Sequence, residues 1–142
     1  MLDMFRNFTV SYAFHAEKTF SHCKNSFPVP SQAPTSFSLT AKTSTSIEAS
    51  WQLPPAEDRN GIITGFKLFY KKKGSSGSSV QITVNNGSTL TKAVTGLDKY
   101  TEYECQVLAF TSVGDGPKSS VTSVRTKEDG TYHIIAEAWN FY

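Results

Sequence analysis

At 142 residues, with 38% apolar and 18% charged side chains, the chain has room for one ordinary domain with flanking sequence and is too apolar to be disordered. Its formal net charge of +2 is too small to argue on its own for nucleic acid or an acidic membrane. No apolar run approaches the ~18 residues of a membrane span, and two cysteines, Cys23 and Cys105, do not make a disulfide framework.

Residues 1–32 read as a poorly ordered N-terminal extension that ends in a proline-containing linker. Asp3 and Arg6, with Asn7, Thr9 and Ser11, make its start a poor secretory signal. Phe8, Val10, Tyr12 and Phe14 alternate with Thr9, Ser11 and Ala13 at a strand period, so a strand remnant of a preceding module is the second reading. Pro28, Pro30 and Pro34 mark the linker.

A regular pattern begins at Phe37, which with Leu39 predicts a first strand. Ile47, Ala49 and Trp51 alternate with Ser46, Glu48 and Ser50 in a second, ended by Pro54-Pro55 because proline cannot donate to a ladder. Asp58-Arg59-Asn60-Gly61 predicts a turn. Phe66, Leu68 and Tyr70 alternate with Lys67, Phe69 and Lys71 in a third strand, followed by the flexible loop GSSGSS at 74–79. Val80, Ile82 and Val84 give a fourth strand, about 90–95 a fifth, a long run from Glu102 a sixth, and about 120–126 a seventh. Short strands with turns about every ten residues and no helical period predict an all-β, seven-stranded antiparallel β-sandwich.

Several motifs carry a family resemblance in their order and spacing. They are Trp51 before Pro54-Pro55, Ile63-Thr64-Gly65-Phe66-Lys67-Leu68-Phe69-Tyr70, and Gly96-Leu97 followed by Thr101-Glu102-Tyr103. Gly114, Gly116-Pro117, Ser119-Ser120 and Arg125-Thr126 complete the set. Together they resemble a fibronectin type III domain, with the domain at 33–127 and a C-terminal tail at 128–142. Trp51 is large enough to fill the ~10 Å between two sheets. Tyr103 suits a tyrosine corner whose hydroxyl bonds backbone near Leu97 and Asp98, with Leu97 plugging the core. The predicted core is Ile47, Ala49, Trp51, Phe66, Leu68, Tyr70, Val94, Leu97, Tyr103, Cys105, Val107 and Ala109. Leu108, Phe110 and Phe69 are expected to face outward. An immunoglobulin domain is the other reading of Tyr103-x-Cys105, but it needs a partner cysteine on the second strand, where Ile47, Ala49 and Trp51 stand. Cys105 is therefore expected to be a small buried hydrophobe with a free thiol. In the tail, Tyr132-x-Ile134-x-Ala136-x-Ala138 echoes the sixth strand and reads either as a short extra strand or as a frayed extension.

Catalysis needs a nucleophile or base, an orienting partner and a charge-stabilising pocket. His15, His22 and His133 all lie outside the domain, and no pair of ligand residues has metal-site spacing. Glu57-Asp58, Glu102/Glu104 and Glu128-Asp129 read as solvated surface, and GSSGSS lacks the lysine and helix of a phosphate loop. No catalytic residue, cofactor or metal is expected.

Three binding candidates remain. The loop 113–117, with Val113, Gly114, Asp115, Gly116 and Pro117, is either a displayed binding loop or a turn using glycine for its backbone angles. Some fibronectin domains carry an Arg-Gly-Asp integrin signal here; Val113 replaces that arginine, so the charge pair with the receptor cannot form. Lys71, Lys72 and Lys73, with Lys67, form a candidate basic patch for a sulfated glycan or anionic lipid, or else a solubilising sheet edge. Asn86-Gly87-Ser88 and Asn7-Phe8-Thr9 fit the N-glycosylation sequon. The resemblance implies a non-catalytic interaction or spacer module of a cell-adhesion, receptor or matrix protein, extracellular or at the cell surface, with other protein domains as partners and no nucleic acid. It also leaves open an accessory domain of a multidomain enzyme, such as a receptor phosphatase or kinase, or an intracellular scaffold repeat.

Overall fold

The computed structural model describes residues 29–129. They contain strands β1 (Thr35–Thr43), β2 (Ser46–Gln52), β3 (Gly65–Lys72), β4 (Val80–Val84), β5 (Thr91–Thr95), β6 (Glu102–Phe110) and β7 (Thr122–Arg125). One sheet has the order β1-β2-β5 and the other β4-β3-β6-β7. All pairings are antiparallel. The predicted seven-stranded sandwich is thus the observed architecture. Asn7, Cys23, the three histidines, the alternating Phe8 and Phe14 run and the Tyr132 echo all lie outside the described residues.

Period-two patterning explains why the strands sit where they do. In β2, Ile47, Ala49 and Trp51 are buried while Ser46, Glu48 and Ser50 are half-exposed. In β6, Tyr103, Cys105, Val107 and Ala109 point into the same core. Pro54 and Pro55 end β2, and a single 3-10 turn at Ala56–Asp58 follows, a feature the strand pattern does not foresee. Asn60 then takes a left-handed φ of 50°, a conformation asparagine tolerates.

Between the sheets, the Trp51 and Phe66 rings meet at 5.3 Å with a 52° tilt, a favourable offset aromatic contact. The Trp51 indole N–H is buried without an acceptor among the described residues, so the ring is held by packing alone. Leu97 is buried at the other end of the same core, reached through the left-handed Gly96 at φ 74°. The Asp98 N–H donates to the Tyr103 hydroxyl at 2.9 Å, closing the corner between β5 and β6. Thr126 reinforces it: its hydroxyl donates to Asp98 O at 2.7 Å and accepts the Thr101 N–H at 2.9 Å. Cys105 is a buried free cysteine, and desolvation pushes its thiol up to about 12, so it is inert rather than reactive.

Two assignments need correcting. Tyr70 is half-buried, because its cross-strand partner Val80 belongs to an edge strand and leaves that flank of the core open. Its ring packs 6.5 Å from Tyr103 at the core margin. Leu108, expected outward, is only 4% exposed. Lys67 stands directly across from it and carries its ammonium to Asp115, while Ser119 N–H pairs with Val107 O and runs the return segment alongside β6.

Trp51→Ala should lower stability by about 3–5 kcal/mol, the usual cost of emptying an aromatic core site. Tyr103→Phe should cost about 1–2 kcal/mol for the lost corner bond, leaving the Asp98 N–H unsatisfied. Both are read as shifts in the urea unfolding midpoint at constant m-value.

Candidate functional site

The strand directions place two sets of loops at opposite ends of the sandwich. Gly65 opens β3 opposite Phe110, where β6 closes, so the 53–64 and 111–121 loops share one end. Lys72 sits opposite Tyr103 and Glu102 opposite Arg125, so the β1–β2 turn, the β5–β6 corner and the chain's exit share the other.

The entry segment is fixed at the first end. Asn60 Nδ2 donates to Val29 O at 3.0 Å. Ser31 donates twice to Asp58, from its N–H to the carbonyl and from its hydroxyl to Oδ1, both at 2.8 Å. Pro30 is buried. Val29, Pro30 and Ser31, which fall in the stretch read from sequence as a poorly ordered extension and linker, therefore contact the domain. The signal was in the sequence only as turn residues; nothing in Asp58 or Asn60 pointed back 27 and 31 positions.

This packing changes the meaning of the glycine loop. Neither Gly114 nor Gly116 adopts a positive φ, so backbone angles do not explain them. A Cβ on Gly116 would sit 2.8 Å from Pro30 Cβ and 3.1 Å from Ala109 O, and one on Gly114 would sit 3.0 Å from Val29 Cγ1. Close approach of the entry segment requires Gly116, and a methyl at Gly114 would press on the Val29 side chain. Asp115 binds Lys67 at 2.7 Å, which occupies the carboxylate that an integrin-type signal would present. Of the five loop residues Val113 is the most apolar exposure, at 62%, and Ile62 on the facing loop is 85% exposed.

The exit is fixed at the other end. Lys127 N–H donates to Thr43 O and Tyr100 N–H to Lys127 O. Asp129 pairs with Lys99 and accepts the Ser44 hydroxyl at 3.2 Å. The Lys99 hydrogen bond, with Ser44 adding to it, holds the Asp129 carboxyl below its ordinary range.

The lysine run does not form one bare patch. Lys67 pairs with Asp115, Lys71 with Glu104 at 3.8 Å, Lys72 with Asp98, and Lys73 with Glu102 at 2.8 Å. Glu102 is drawn down chiefly by Lys73, then by Ser123. Lys72 is raised, first by its hydrogen bond to Asp98. Two cations also cover the aromatics of the outer sheet face. Lys118 Nζ lies 3.9 Å from the Phe69 ring centroid and Lys67 Nζ 5.5 Å from that of Phe110. The carboxylate partners lie 26 to 48 residues away in sequence, so reading the run alone could not pair them.

Asn86 is exposed on the turn after β4. Its Oδ1 accepts the Ser88 N–H at 2.8 Å, an Asx turn. Gly87 is required by close packing, since a Cβ there would fall 1.9 Å from Ile63 O. Among the described residues no group of three or more His, Cys, Asp or Glu could hold a metal ion, and no helix is long and apolar enough to cross a membrane.

Comparison with known proteins adds the following. The fibronectin type III domain matches residues 32–125. Protein sidekick-1 of Gallus gallus is 42% identical over 102 residues, which cover 71% of this chain and 5% of the relative. Cell adhesion molecule Dscam2 of Drosophila melanogaster is 37% identical over 103 residues, 71% of this chain and 5% of that protein. The chain thus spans about 5% of the length of these relatives. The crystal structure of the FN5 domain of Drosophila Lar superposes with a TM-score of 0.57 at 33% identity, covering 71% of this chain and 100% of that chain.

Gly116→Ala should destabilise by about 1–3 kcal/mol, as overpacking does, because its new methyl meets Pro30 and backbone. Denaturant unfolding measures the loss. On the exit side, unfolded Asp129 titrates near 3.8 and the folded residue below it, so its contribution is present above pH ~4 and lost as pH falls through the folded value. Asp129→Asn should therefore flatten the fall in urea midpoint between pH 5 and pH 2 (roughly the window in which folded and unfolded carboxylates titrate).

Proposed function

The chain belongs to the fibronectin type III family, and from that premise we propose that it is a non-catalytic interaction and spacer module of a cell-adhesion, receptor or matrix protein. The observation that carries the reading is the double anchorage of the chain. Entry residues are bonded to Asp58 and Asn60, exit residues to Thr43, Ser44, Lys99 and Tyr100, at opposite ends of a sandwich about 25 Å long at ~3.3 Å per strand residue. A module held in this way sets the direction and spacing of whatever precedes and follows it. Its placement outside the cell or at the cell surface is part of the same proposal, supported by its similarity to a cell adhesion molecule. Cys105, buried and unreactive, is compatible with an oxidising exterior. In that setting Asn86, exposed on its turn, is the described residue that would carry an N-glycan.

Other protein domains fit the surface better than a sulfated glycan. Each of the four lysines offered for the glycan already has a carboxylate partner, so a sulfate must displace an ion pair to bind. Ile62 and Val113, exposed beside the entry segment, give the preceding module an apolar contact. An enzyme-linked accessory role is compatible with the same geometry, but no described residue favours it.

Backbone 15N relaxation of the full chain tests the anchorage. Residues 29–31 and 127–129 should show order parameters of about 0.85, like the strands. Asn60→Ala should lower those at 29–31 alone, and Asp129→Ala those at 127–129 alone. Order parameters below about 0.6 at both ends in the unmodified chain would remove the basis of the spacer reading.

A further inference from the structure

The sandwich has β1 and β5 at the edges of one sheet and β4 and β7 at the edges of the other. An edge exposes unpaired N–H and C=O groups that accept another strand unless the edge is blunted. β1 carries register shifts toward both ends and begins just after Pro34. β5 bears Lys92, and β7 is four residues long with Arg125 at its end. β4 has none of these protections. Its sequence, VQITV, has no charge and no proline, and its register against β3 is unbroken from Val80 to Val84. The neutrality extends well past the strand, because no charged residue occurs between Lys73 and Lys92.

The strand is also complementary to itself. A two-fold axis through Ile82 sets Ile82 against its own copy, Val80 against Val84, and Gln81 against Thr83. Apolar residues then meet apolar ones on one face and polar residues meet polar ones on the other, with no like charges opposed. Val80, 51% exposed in the single chain, gains a neighbour in this arrangement.

We propose that β4 is an interaction edge whose occupant is β4 of a second copy of this chain, paired antiparallel so that the two four-stranded sheets become one continuous sheet. The pairing supplies about four to six backbone hydrogen bonds along ~17 Å of strand. So short an interface falls short of the ~1,200 Å² of a stable standard complex, so the association is concentration-dependent and readily reversed.

Sedimentation velocity on the full chain, unglycosylated and under reducing conditions, tests this. The weight-average mass should climb toward that of two chains as concentration rises to about 1 mM, the range of weak association. The double substitution Gln81→Lys with Thr83→Lys opposes lysines across the axis, and both positions are exposed, so the fold tolerates it. It should weaken self-association at least tenfold without changing the thermal unfolding midpoint. Gln81→Glu with Thr83→Glu should do the same, and an equimolar mixture of the two variants should restore the dimer. Dimerisation of the lysine variant as strong as that of the unmodified chain would overturn the proposal. So would an unmodified chain that stays monomeric. In that case, protection of β4 amides from hydrogen exchange would assign the edge to a segment of the same chain outside 29–129, and unprotected amides would leave it unoccupied.

Discussion

The bond from the Asp98 N–H to the Tyr103 hydroxyl is the contact on which the rest of the arrangement rests. It lies where the chain leaves β5 in one sheet and enters β6 in the other. Leu97, one residue earlier, is buried in the core, so the crossover is held by a plug and a hydrogen bond at adjacent positions. Thr126 bonds to both sides of the same loop and brings the end of β7 against it. Lys72 adds the end of β3 through its pair with Asp98. Loosening this corner would therefore disturb the sheet pairing and the direction of chain exit together.

The other end of the sandwich is organised by contact rather than by a corner. Pro30 lies against Gly116 and Val29 against Gly114, while Asn60 and Asp58 supply the bonds. What looks in sequence like a displayed glycine loop is the floor on which the entry segment rests. Its acidic group is spent on Lys67, and its exposed tip is the apolar Val113. This chemistry is suited to packing against a neighbouring domain and poorly suited to presenting a charged signal.

The strands were legible because each has one buried face, and a period of two shows wherever burial is one-sided. β2 and β6 make the point, and the corner followed from Gly96, Leu97 and Tyr103 at their spacing. Legibility failed where a position depends on a chain segment far away. Leu108 reads as outward by alternation and is outward by register, yet Lys67 and the return segment cover it. Tyr70 reads as core and falls at a margin because β4 is an edge, a fact of topology rather than of local pattern. The lysine run looked like a positive patch because its carboxylates arrive from β6, the corner and the 111–121 loop. The entry anchorage was hidden for the same reason, since turn residues announce a turn and not what they will hold.

Charge is distributed unevenly around the sandwich, and the unevenness separates two kinds of contact. Ion pairs stitch β3 to β6 and its loop, and the Lys99–Asp129 pair ties the exit, so the lysines of β3 and the exit aspartate are locally paired. The flank formed by β4 and its adjoining loops is neutral, with Val80 in the open. Because the flank carries no charge of its own, what approaches it is selected chiefly by backbone pairing and side-chain shape. The ends, by contrast, are held by hydrogen bonds to the entry segment and by an ion pair at the exit. Contacts along the chain and contacts to the side therefore rest on different physics, and a change in salt or pH that loosens the ion pairs at the exit leaves the chemistry of the β4 flank as it was.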